Sequence, residues 1–93
     1  MAQLTEDQLT QIKLKVVRSI VNGVSGDDIV GFLAVEAPAV LNGFVGVPAN
    51  QVAMYFRSDP ILSQAANSPH FMQTLTEMVE IINDTEAPDQ QVN

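Results

Sequence analysis

Residues able to do chemistry are few and poorly matched in this chain. His70 is the single histidine, and no serine, cysteine or carboxylate pattern marks it as a general base, a role that needs partners within hydrogen-bond reach. It falls in the first turn of a helix read from Pro69, where a surface histidine is the expectation. Asp27 and Asp28 are adjacent carboxylates. Neighbours on a helix point about 100° apart, so they make a poor ligand pair, and no Asp-x-Asp-x-Asp-Gly loop follows. Compensation of a helix dipole explains them. Glu77 and Glu80, one turn apart, could meet a cation or a basic partner, but a solvated helix face is the simpler account. The glycines at 23, 26, 31, 43 and 46 match neither a phosphate loop nor a dinucleotide fingerprint. Cysteine is absent, which removes disulfides and thiolate metal sites. The expectation is a chain with no catalytic residue, no cofactor and no metal site, hence not an enzyme.

The stretch GVPANQVAMYFRS, residues 46–58, allows two incompatible readings: a DNA-reading helix, or a helix whose Val52, Met54, Tyr55 and Phe56 fill a core. It resembles the recognition-helix stretch of TetR-type repressors, in which Gly-Val begins the turn and a Tyr or His followed by Phe closes the helix. Gly46, Val47, Val52, Tyr55 and Phe56 stand at those places, followed by Arg57 and Ser58. The resemblance implies a helix-turn-helix regulator, and it departs where DNA would be touched. Pro48 occupies the usual small polar start, Ala53 the place of a phosphate-contacting tyrosine, and Asp59 that of a lysine. Asn42 and Gly43 replace the helix formers expected before the turn. What remains is the packing half of the motif.

Charge points the same way. Four Lys and Arg against eleven Asp and Glu give a net charge of -7, whereas affinity for phosphate comes mainly from clustered cations. Lys13, Lys15, Arg18 and Arg57 are all there is, and three of them share one helix. Nucleic acid is therefore not an expected partner. The hydrophobic share is 46% and the charged share 16%, against about 25% charged in ordinary globular chains. A chain of 93 residues forms one domain and buries only about 60–65% of its unfolded surface. More apolar side chain is present than a small monomer comfortably hides, which suggests an oligomer, a partner surface or a membrane contact.

The elements that must carry these residues read as helices. Thr5, with Gln8 three residues on, has the form of a capping box, and Leu9, Ile12, Val16 and Ile20 then share one face up to a stop at Asn22 and Gly23. Ser25 caps a second helix with Asp27 and Asp28 in its first turn. It enters residues 29–47, a run with one charge that approaches the length of a membrane span. Glu36, Pro38, Asn42 and three glycines break that run, so a buried soluble helix from Gly26 to near Pro38 is predicted, and a membrane is not an expected partner. Gly31 would cost that helix about 1 kcal/mol relative to Ala, which close helix approach would justify. Residues 39–47 read as a short helical turn ending at Asn42 and Gly43, with strand or loop as alternatives. Pro48 at the first position of the next helix, Asp59-Pro60 before a short one over Ile61, Leu62 and Ala65, and Ser68-Pro69 before the last supply start signals. Phe71, Leu75, Met78, Val79 and Ile82 form the stripe of the last helix, and Ile81 falls off it. From Asp84 the sequence is polar and aperiodic.

The fold class predicted is all-α, a single small domain of four or five short helices around one core, with residues 1–83 helical and 84–93 a polar tail. The predicted function is a non-catalytic assembly or interaction subunit, binding itself as a homo-oligomer or other subunits of a larger assembly. Accessory proteins of viral particles are one home for such a chain. An amino terminus lacking a basic start and apolar run sets the cytoplasm, or a particle assembled there, as the expected location. The contact surface is predicted at Leu14, Val21, Phe44, Val45 and Ile81. Two other functions stay open: an acidic inhibitor occupying a partner's basic site, although its carboxylates are scattered along the chain, and a DNA regulator using residues 46–58.

Overall fold

A computed structural model describes residues 4–86. Thr5 starts the first helix as its sequence predicts: its Oγ1 accepts from the Gln8 N–H at 3.1 Å, and the Gln8 Oε1 accepts from the Thr5 N–H at 2.9 Å, so two orphan donors of the first turn are satisfied. The resulting α1 spans Glu6–Val21. Gly23, at φ +78°, turns the chain in the left-handed region that glycine adopts without a Cβ penalty. Ser25 then caps α2, Gly26–Glu36, through its Oγ and the Asp28 N–H.

Pro38 stops α2, because a proline ring disfavours helical backbone in the residue before it. Ala37 takes φ -151° and ψ 62°, and the chain restarts at once as the short α3, Pro38–Asn42. The uncertain segment 39–47 is thus helix and then turn, with no strand. Pro48 precedes α4, Ala49–Ser58, as its N-cap, one position earlier than the sequence suggested. Asp59 caps the next segment: its Oδ2 accepts from the N–H groups of Ile61 and Leu62, both at 2.9 Å, and a 3₁₀ segment covers Leu62–Asn67. The Ser68 Oγ accepts from the His70 N–H, and α5 runs Phe71–Glu86. The helix thus continues past the boundary drawn before Asp84, and residues 87–93 of the expected tail lie outside the described residues.

The fold is all-α, and the described residues form one domain around one core. α2 lies along α5, α4 packs on the 3₁₀ segment and α5, and α1 covers the 3₁₀ segment. Ile12, Val16, Val17 and Ile20 of α1 share a core with Ile29 and Leu33 of α2 and Phe71, Leu75, Met78, Val79 and Ile82 of α5. Each such side chain taken fully from water is worth about 1.5–3 kcal/mol. The α2–α5 approach is tightest at Gly26, where a Cβ would lie 2.6 Å from the Glu77 Cβ. Close approach therefore does explain a glycine in α2, but it is Gly26. Gly31 is exposed with nothing within 4 Å of its Cβ position, which corrects the reading of that helix as buried all round. Among the described residues no helix is long and apolar enough to cross a membrane.

Candidate interaction surface

The α3–turn–α4 unit is built around Phe44. Its ring is edge-on to Tyr55 with centroids 5.6 Å apart and 6.2 Å from Phe56, which in turn stacks edge-on against Phe71 at 6.0 Å. Beyond it the turn closes at Gly46, φ +78°, whose N–H donates to the Asn83 Oδ1 of α5 at 2.9 Å. Between α3 and α4 this leaves an open, largely apolar groove of about 310 Å³, lined by Ala39, Val40, Gly43, Val47, Gln51 and Tyr55 over Phe44. That volume is at the lower end of the ~300–1,000 Å³ of small-molecule pockets, which also rely on convergent polar groups to orient a ligand. Here only Gln51 and the Tyr55 hydroxyl could serve.

The helix α4 buries Val52, Ala53 and Phe56 and turns Gln51, Met54 and Tyr55 outward. The packing reading put Tyr55 and Met54 inside; they are 47% and 63% exposed. Successive residues rotate by about 100°, so counting Ala53 as a core position swings the buried arc away from Tyr55. Ala53, which stands where the TetR-type pattern has a phosphate-contacting tyrosine, is fully buried. The turn before α4 spans residues 43–48, longer than the 3–4 residues of a helix-turn-helix. Arg57, the one cation of α4, lies over the Phe71 ring at 5.3 Å.

Charge is distributed unevenly over the fold. None of the eleven carboxylates of the sequence falls between residues 37 and 58, and Arg57 is the only charge there. Elsewhere Lys13 donates to the Asp59 Oδ1 at 2.7 Å, both side chains mostly buried, and Lys15 lies over Phe32 at 5.2 Å. Burial pushes the Asp59 carboxyl up, but the Lys13 hydrogen bond and the N–H groups of Leu62 and Ile61 outweigh it and hold the carboxyl below its ordinary value.

The five contact residues predicted from sequence do not form one surface. Phe44 is buried, 9% exposed: Gly46, at φ +78°, turns the chain just after it, and the ring joins the aromatic cluster. Val21 is exposed at the end of α1, and Leu14, seven residues back, is half-buried beside a shallow depression edged by Lys15, Arg18 and Phe32. Val45 is exposed next to the Gly46–Asn83 hydrogen bond, and Ile81 on α5 is half-buried. Exposed but not predicted are Val35 on α2, 77% exposed, Met54, Met72 and Leu4. For Met54 the signal was available, since it lies opposite the arc shared by Val52, Ala53 and Phe56.

Of the remaining chemical candidates the fold engages Glu77. The Glu77 Oε1 accepts from the Gly26 N–H at 2.8 Å, capping α2 from a neighbouring helix rather than facing solvent. His70 is exposed, with its ring over Gly23. Among the described residues no group of three or more His, Cys, Asp or Glu could hold a metal ion. No protein-family model, curated protein or solved structure matches this chain.

Proposed function

We propose that the chain is a non-catalytic assembly subunit that works by associating with itself or with other subunits of a larger particle, in the cytoplasm or in something assembled there. The observation that carries this reading is the apolar surface left outside a filled core. After the core has taken its share, Met54 and Tyr55 stand well exposed on α4, with Leu4, Val45 and Met72 also at the surface, and Gln51 and Tyr55 border an apolar groove. Surface of this kind is what interfaces use. Light scattering from about 10 µM to 1 mM should give masses above the 10.1 kDa of one chain, rising with concentration. A species that stays at one chain throughout and ignores hydrophobic dyes refutes self-association.

A second reading, an acidic protein occupying a partner's basic site, draws support from the cations being engaged close to the fold, Lys13 on Asp59 and Arg57 on Phe71, while Asp27, Asp28 and Glu80 are exposed. Its partner complex would weaken steeply with added salt; binding indifferent to salt removes it.

A further inference from the structure

The α3–α4 face combines neutrality with a projection beside a hollow. Residues 37–58 carry no carboxylate in a chain of net charge -7. On α4, Tyr55 stands at the rim of the groove that α3 and α4 enclose, the preceding residue Met54 is exposed, and Gln51, one turn before both, lines the groove's edge. A two-fold interface uses the same patch on both partners, so the patch must complement itself. A face that holds both a projecting side chain and a groove meets that condition.

Resting on the self-association reading above, we infer that this face is where a second copy of the chain docks, with Met54 and Tyr55 of each copy packed over the groove between α3 and α4 of the other. Charge selects the occupant. Two chains of charge -7 repel at most approaches, and least where neither brings a carboxylate to the contact. A basic partner would find no acid on α3, α4 or the turn between them and would be drawn to the exposed Asp27, Asp28 and Glu80 instead. A small ligand would find no charged group to orient it. Arg57 does not spoil the contact, because its guanidinium is turned onto Phe71.

The test places a charge on the neutral face without touching the core. Gln51 is exposed, so Gln51→Glu and Gln51→Lys should both keep the helical circular dichroism of the parent. Each variant alone should raise the dissociation constant of the oligomer at least about tenfold at low salt, since like charges set against each other across an interface are strongly unfavourable. Mixing the two in equal amounts should restore association to near the parent's. Val35→Asp, on the exposed side of α2, should leave association unchanged. If the parent itself is one chain at every concentration, the self-association reading fails and takes this inference with it. If the parent associates but both Gln51 variants match it, or Val35→Asp breaks it, self-association stands and this face is the wrong one. Weakened variants that fail to rescue each other overturn the pairing of like faces.

Discussion

Two glycines five residues apart on α2 should respond in opposite directions to the same substitution. Neither has the positive φ that would make alanine a strained residue, so space alone decides. At Gly26 a Cβ would sit 2.6 Å from the Glu77 Cβ, 2.9 Å from the Met78 N and 3.1 Å from the Thr74 O. These are backbone atoms of α5 and the first carbon of a side chain, so no rotamer change relieves the clash and α2 must back away. Overpacking of this kind costs about 1–3 kcal/mol. The retreat also stretches the 2.8 Å hydrogen bond from the Gly26 N–H to Glu77, worth about 0.5–1.5 kcal/mol, against a gain of about 0.5–1 kcal/mol from replacing glycine in a helix. The net for Gly26→Ala is a loss of about 1–3 kcal/mol. At Gly31 nothing lies within 4 Å, so only the helix gain remains, about 0.5–1 kcal/mol. For a domain of this size 1 kcal/mol moves the melting temperature by about 4–8 °C. Thermal melts at low protein concentration should therefore show Gly31→Ala above the parent by a few degrees and Gly26→Ala below it by at least about 4 °C. A neutral Gly26→Ala would mean that α2 and α5 are further apart than described, and a destabilised Gly31→Ala that the outer face of α2 is covered.

Asp59 should make stability depend on acid. Its carboxyl is held below the ordinary value by Lys13 and the capped N–H groups of Leu62 and Ile61 despite burial, so its contribution is complete above the unfolded-state pKa of about 3.9 and is lost as the pH falls through the lower folded value. Urea midpoints at pH 7 and pH 3 should differ less in Asp59→Asn than in the parent; an unchanged difference refutes the pairing. Phe44→Ala should cost about 3–5 kcal/mol as a core truncation, and Val35→Ala should stay within about 0.5 kcal/mol, both read from denaturant melts. Equal effects would return Phe44 to the surface. Glu77→Ala should cost about 0.5–2 kcal/mol as the loss of a helix cap, with Glu77→Gln recovering part of it because an acceptor oxygen remains; a glutamine variant no better than alanine would mean that the carboxylate's charge, not its acceptor, holds α2.

Much of the fold was readable because local signals dominate it. The Thr5–Gln8 capping box, the Pro38 stop, the Asp59 cap and the α5 stripe each act within a few residues, where propensity and capping operate, and all appear in the structure. What could not be read depends on contacts distant in sequence. Glu77 looked outward-facing because its partner, the Gly26 N–H, is 51 residues away. Gly26 and Gly31 have the same local appearance, and only the position of α5 separates them. Phe44, set among glycines, had no periodic neighbours to assign it a face, and the aromatic cluster that receives it is assembled from α4 and α5.

Composition is subject to the same distinction. An excess of apolar residues over interior volume says that some must be exposed, but more than half of the surface of any folded protein is apolar, so a single exposed valine needs no explanation. Val35 and Val21 are of that kind: each stands on a helix that also presents charged residues, Asp28 and Glu36 on α2 and Arg18 on α1. Met54 and Tyr55 differ in company, not in degree. Tyr55 borders a groove, and both stand in a stretch of 22 residues from 37 to 58 that contains no acid although the chain has eleven. Exposed hydrophobes in a charged setting remain soluble, whereas the same side chains on a neutral face have no repulsion to keep a second chain away. It is the absence of carboxylates from their own stretch of chain, more than their exposure, that makes α3 and α4 the surface to test.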